Sequence, residues 1–235
     1  MNRLGMLMSQ AAGWLLDPPS SSTFPPRPDA GTDRSFGARS PKTPVGSAVA
    51  ARTVVAVVGI APGSGASTLA RALAATLARR DPSGAAILIA RGEDERPAPA
   101  VRAASRLAGR IGTAADAVGR LCIVNEESPE LAGVAPVVID APSGAASSLL
   151  PDLTILVVPG DAEPALAELA AKTLRDPVTV VNRASDSGRW DGRAFAELPH
   201  SRSAAWLAAA GWEPRGAFGA AISKIADACE EAACA

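Results

Sequence analysis

The sequence predicts an α/β fold in three layers, a predominantly parallel sheet with helices on both faces. Four segments carry that prediction. Val54–Arg80 runs from a β-branched strand through a glycine loop into a helix; Val137–Gly144 is a hydrophobic strand ending in aspartate and a Pro/Gly turn; and Leu153–Pro159 and Val178–Asn182 are two further apolar runs separated by a helical stretch. Short uncharged runs of this kind suit strands buried on both faces, and their alternation with helices is the pattern of βαβ units. The 235 residues are 48% hydrophobic and 20% charged, enough for one α/β domain placed at residues 52–235.

The chain before that domain reads differently. In residues 1–17, Leu4, Leu7, Met8, Ala11, Trp14 and Leu15 recur at helical spacing and Asp17-Pro18-Pro19 ends the pattern, which predicts an amphipathic helix. Residues 18–51 are rich in Pro, Ser, Gly and Arg without periodic hydrophobicity, a flexible linker by composition. A tethered amphipathic helix is expected to dock on a protein partner. Weak association with a membrane surface is the second reading, with Trp14 at headgroup level and Arg3 as the one cation; capping its own domain is the third. A signal peptide fits less well, because Ser9-Gln10 breaks the apolar stretch, which is also too short and polar to span a bilayer.

Within the domain, Val54–Val58 is the first strand. Gly63 and Gly65 give the following loop the freedom to bring backbone N–H groups close to a ligand, and Leu69, Leu73 and Leu77 mark the helix after it. A helix N-terminus behind a glycine turn suits a phosphate. Ala85–Ala90 is a second strand, Glu93–Glu95 a solvated turn, and Ala98–Leu107 a helix. Gly109–Gly119 reads as a connector or short helix, Leu121–Val124 as an edge or inserted strand, and Asn125–Leu131 as a polar loop. Asp161–Leu174 is helical, Phe195–Leu198 a short strand, and Ser203–Ala210 and Gly216–Ala232 two helices, the second with an apolar stripe of Phe218, Ile222, Ile225 and Cys229.

The loop Ala61-Pro62-Gly63-Ser64-Gly65-Ala66-Ser67-Thr68 resembles the deviant P-loop of the ParA/MinD-like ATPases, Lys-Gly-Gly-x-Gly-Lys-[Ser/Thr]-Thr. Gly63, Gly65, Ser67 and Thr68 match, whereas alanine stands at both lysine positions, Ala61 and Ala66. Asp140-Ala141-Pro142-Ser143-Gly144 is similar to the family's Asp-x-Pro-x-Gly segment, and Asn182-Arg183 to its base-contacting strand end. The Asp-x-Asp pair that orients water in the family is replaced by Ala90 and Gly92.

The resemblance implies a nucleotide site holding ATP or ADP with Mg, or a pocket left empty. Gly63, Ser64, Gly65 and Ala66 would cradle phosphates, Thr68 would touch the α-phosphate, and Asn182 with Arg183 would complete the nucleotide site. Ser67 would ligate Mg, with Asp140 acting through water. Because the lysines and the aspartate are absent together, it implies binding with little or no hydrolysis and an adaptor role, similar to the TadZ/CpaE-like branch in its altered lysine. An ATPase in which Arg71, Arg91 or a partner's residue replaces the lysine, and a structural subunit with an empty pocket, stay open beside it.

The remaining expectations concern surroundings. A net charge of −1 gives no polyelectrolyte attraction to nucleic acid, so no specific nucleic-acid partner is expected. A homodimer is compatible with the family, but Ala61 has no charge to reach across to a second copy, so such a dimer would not depend on nucleotide. Cys122, Cys229 and Cys234 form no metal-type pair and suit a reduced, cytoplasmic chain, peripheral to the membrane at most through a partner. His200 has no neighbour at ligand spacing and is expected to be structural.

Overall fold

The computed structural model describes residues 52–90, 102–112, 115–141, 149–184 and 187–234, all inside the compact unit Gly46–Ala235. The residues of the expected N-terminal helix and linker, of the expected turns at 93–95 and 142–144, and Arg91 and Gly92 lie outside the described residues.

Eight strands form one sheet: β1 (Val54–Gly59), β2 (Ala86–Ala90), β3 (Ala115–Val118), β4 (Leu121–Val124), β5 (Val137–Ala141), β6 (Leu153–Pro159), β7 (Val178–Asn182) and β8 (Ala196–Leu198). Their order is β3-β4-β2-β5-β1-β6-β7-β8, and every pairing is parallel except β3 with β4. β1 is therefore central, between β5 and β6, as its unbroken Val-Val-Ala-Val-Val run requires.

Alternate residues face opposite layers. Val55, Val57, Leu88, Val138, Ile155 and Val180 pack under α1 (Ala66–Arg80), α4 (Arg202–Ala209) and α5 (Gly216–Ala233). Val54, Val58, Ile87, Ile89, Val137 and Ile139 face the side of α2 (Arg102–Ile111). Leu156, Val158 and Val181, with Trp190, pack against α3 (Pro164–Ala171). The predicted three-layer architecture is thus present. α1 is buried continuously from Leu69 to Ala78, and its alanines allow the close approach of sheet, α4 and α5. No helix among the described residues is long and apolar enough to cross a membrane.

The structure differs from expectation in the middle of the chain. Helix α2 ends at Ile111, and Ala115–Val118 is a strand, β3, paired antiparallel to β4. Its sequence Ala-Asp-Ala-Val has little β propensity, so the pairing supplies what the residues do not. Leu121–Val124 is consequently not the edge, and all four of its residues are buried. Helix α3 is shorter than Asp161–Leu174: Pro164 occupies the first turn behind Glu163 and fixes the start.

The turn between β3 and β4 meets the segment just after α4 through backbone and through the Arg120 side chain. The Arg120 N–H donates to the Gly211 carbonyl at 3.0 Å, and a Cβ on Gly211 would lie 2.1 Å from the Val118 oxygen. Arg120 also places its guanidinium 6.0 Å from the Trp212 ring centroid.

Cys122 and Cys229 are buried and Cys234 is exposed. Burial, reinforced by Asp116, pushes the Cys122 thiol up to about 11; burial, reinforced by Glu230 and opposed by Arg80, pushes Cys229 up to about 12. A thiol reagent at pH 8 is expected to modify Cys234 promptly and the other two only in denaturant; rapid modification of all three in the folded protein would contradict this burial. Both folded values lie above the ordinary thiol value of 9.0, so the unfolded chain ionises first. Stability is therefore retained below pH 9 and falls as pH rises toward 11, by about 1.4 kcal/mol per unit for each thiol. Urea midpoints at pH 8 and pH 10.5, compared with those of a Cys229→Ala variant, read that slope.

Candidate functional site

The site begins where β1 ends. The Ile60 N–H donates to the Val157 carbonyl at 3.0 Å, carrying the β1–β6 pairing one residue past the strand. The Ser64 N–H then donates to the Ala61 carbonyl at 3.2 Å and closes a tight turn, with Pro62 second and Gly63 third at φ 79°. Those are the residue types a type II turn requires, so Pro62 fits the loop rather than blocking it. Ser64 is buried against Gly59, where a Cβ would come within 2.4 Å of its Oγ.

Gly65 is the N-cap of α1 at φ 92° and supplies no side-chain cap to the helix. The N–H groups of a helix's first turn have no intrahelical acceptor, and residues 65–68, which open α1, line a cavity beside the loop. The cavity has a volume of about 440 Å³. Gly63, Ser64, Gly65, Ala66, Ser67 and Thr68, the residues expected to meet a nucleotide, all line it. So do Asp140 and Arg183, respectively the one anion and the one cation among the described lining residues.

Strand register explains the position of Asp140. It stands beside Val57 of β1 on one side and Ala90 of β2 on the other, at the carboxyl ends of the strands. Sites in open parallel sheets form at those ends. Ala90 also lines the cavity, so where the resembled family has an aspartate this wall carries a methyl group.

Asn182 is not among the lining residues. Its Nδ2 donates to the Ser64 carbonyl at 2.8 Å, tying the end of β7 to the loop across 118 residues of chain. A carbonyl accepts and does not donate, which fixes the amide orientation and leaves Oδ1 facing away from that bond. The same contact explains Gly65, since a Cβ there would lie 2.0 Å from Nδ2. Sequence reasoning placed Asn182 at the site but not this brace; Gly59, Ala61, Pro62, Ala90 and Ala141 also line the cavity without having been singled out as ligand contacts. Arg71 is buried in α1 and is not among the described lining residues. His200 is exposed on the turn after β8. No group of three His, Cys, Asp or Glu side chains suited to a metal occurs among the described residues.

Strand, glycine loop and helix at the centre of this sheet define a P-loop-type α/β protein without the loop lysine. No family model and no curated protein matches the sequence. Solved structures similar to it are of the ParA and MinD type. A ParA family ATPase from Chlorobium tepidum TLS is 14% identical with a TM-score of 0.49, over 75% of this chain and 98% of that one. The MinD cell division protein of Aquifex aeolicus is 15% identical with a TM-score of 0.48, over 75% and 96%. The MinC:MinD complex of the same organism gives 17%, 0.48, 75% and 95%. The fold class itself rests on this chain's own strand order and directions.

Proposed function

We propose that this protein binds a nucleoside di- or triphosphate at the lysine-less loop, hydrolyses it slowly or not at all, and acts as an adaptor that positions or assembles other proteins. One observation supports the reading: the glycine loop and the start of α1 line one cavity, and alanine stands on its wall at 61, 66 and 90 where the resembled family carries lysines and an aspartate. Phosphoryl transfer depends on positioning and on neutralising spread negative charge, and each missing preorganised donor costs about 10²–10³ in rate. Binding to backbone N–H groups and a helix N-terminus is less sensitive to those losses.

The cavity suits such a ligand. N–H groups of the loop and first turn of α1 would meet the phosphates, and Ser67 with Asp140 would hold Mg, which supplies charge neutralisation when bound. Asn182 would act by keeping the loop in place through Nδ2, with the base of the nucleotide lying toward the end of β7. Residues 1–17 are the docking element of this reading. In this reading residues 1–17 dock on a partner and do not hold the ligand, so a chain lacking them is expected to bind Mg-ATP as the full chain does; lost affinity would instead make them part of the site. Ala61 offers no charge to a second copy, so added ATP is expected to leave the gel-filtration volume unchanged.

Calorimetric titration of the full chain with Mg-ADP and Mg-ATP tests the proposal. Micromolar binding of either supports it. Absence of binding at millimolar ligand overturns it in favour of a scaffold whose pocket stays empty.

A further inference from the structure

We infer that Arg183 supplies the positive charge that the loop lysine would otherwise give, reaching the bound polyphosphate from the end of β7 rather than from the loop. The inference rests on the nucleotide reading above and identifies the side chain that recognises the phosphate charge.

Two independent observations carry it. The first is placement: among the described residues lining the cavity, Arg183 is the one cation and Asp140 the one anion, the rest being glycine, alanine, proline, serine and threonine. The second is backbone conformation. Arg183 has φ 59°, in the left-handed region that disfavours a residue with a long side chain. The backbone on both sides is held. The Gly160 N–H donates to the Asn182 carbonyl at 2.8 Å, and the Ala184 N–H donates to the Leu198 carbonyl at 3.1 Å. Glycine or asparagine would occupy that conformation with less strain. Strain held by the surrounding structure at a residue facing a cavity points to a role for its side chain.

The position also fits the chemistry. Arg183 follows Asn182, whose amide holds the loop, so the strand end that shapes the cradle also carries the guanidinium. Guanidinium is permanently charged and donates in a fork that matches phosphate oxygens. Lysine at Ala66 would approach from within the loop; an arginine on β7 approaches from the wall.

Calorimetry with Mg-ATP, inorganic tripolyphosphate and AMP, on the full chain and on Arg183→Gly, Arg183→Asn and Arg183→Lys, tests this. Glycine and asparagine tolerate the left-handed conformation, so both variants are expected to keep the far-UV spectrum and Tm of the parent. If one loosens the strand end, the other still reports on the charge. Both should lose about 10- to 100-fold in affinity for Mg-ATP and tripolyphosphate and much less for AMP. Arg183→Lys should stay within about tenfold of the parent. Folded variants that bind tripolyphosphate as the parent does would overturn the inference and leave the nucleotide reading standing. A parent chain that binds neither Mg-ATP nor tripolyphosphate would overturn both.

Discussion

Gly65→Ala is expected to abolish detectable nucleotide binding and to lower stability by about 1.5–3.5 kcal/mol. The estimate has two parts. A Cβ at φ 92° costs about 1–2 kcal/mol. It would also stand 2.0 Å from Asn182 Nδ2, so the amide must move and release the Ser64 carbonyl, at a further 0.5–1.5 kcal/mol or about that. Affinity suffers more than stability because the same movement lets go of the loop whose N–H groups form the cradle. A double-mutant cycle with Asn182→Ala separates the two parts. Removing the amide takes away the clash but not the backbone strain, so the double variant should be more stable than the two single losses added together. Urea titrations give the stabilities and calorimetry the affinities. Gly65→Ala binding Mg-ATP as the parent does would show that the loop is not the ligand cradle.

Gly211→Ala is expected to be costlier to the fold, about 3–5 kcal/mol, while lying away from the cavity. The added Cβ would meet the Val118 carbonyl oxygen at 2.1 Å and its carbon at 2.8 Å, and φ is 70°. The obstacle is backbone rather than the end of a flexible side chain. Relief therefore requires the β3–β4 turn and the end of α4 to part. That movement breaks the 3.0 Å bond from the Arg120 N–H to the Gly211 carbonyl and pulls Arg120 from the Trp212 ring. Domain stabilities are typically about 5–15 kcal/mol, so such a loss brings the protein close to unfolding. The urea midpoint reads it directly, and a change below about 1 kcal/mol would mean that this contact is not made in solution.

How far the sequence discloses the molecule follows from the range of the interactions involved. β1, β5, β6 and β7 are legible because each is a short apolar run stopped by glycine, aspartate-proline or asparagine, signals local to the segment. That residues 63–68 line one cavity is legible for the same reason, as is the place of Asp140 at its strand end. β3 is not, because Ala-Asp-Ala-Val becomes a strand only by pairing with β4. The brace from Asn182 to Ser64 joins residues 118 positions apart, and no local pattern encodes it. The left-handed backbone at Arg183 is equally silent, since arginine is not a residue that announces positive φ. The proposed docking residues Leu4, Leu7, Met8, Ala11, Trp14 and Leu15 lie outside the described residues and rest on their helical spacing.

The missing charges make a sharper claim than the fold does. A cavity that keeps the glycine loop but has alanine at 61 and 66 in the loop and at 90 on β2 should hold a triphosphate without cleaving it. The direct measurement is to incubate the full chain with γ-labelled Mg-ATP for an hour, separate protein from free ligand on a short gel-filtration column, and identify the nucleotide that travels with the protein. The expected result is intact ATP, near one per chain, with no label released as phosphate above the protein-free control. ADP on the protein together with released phosphate would contradict the account and show that another group does the work of the absent lysines.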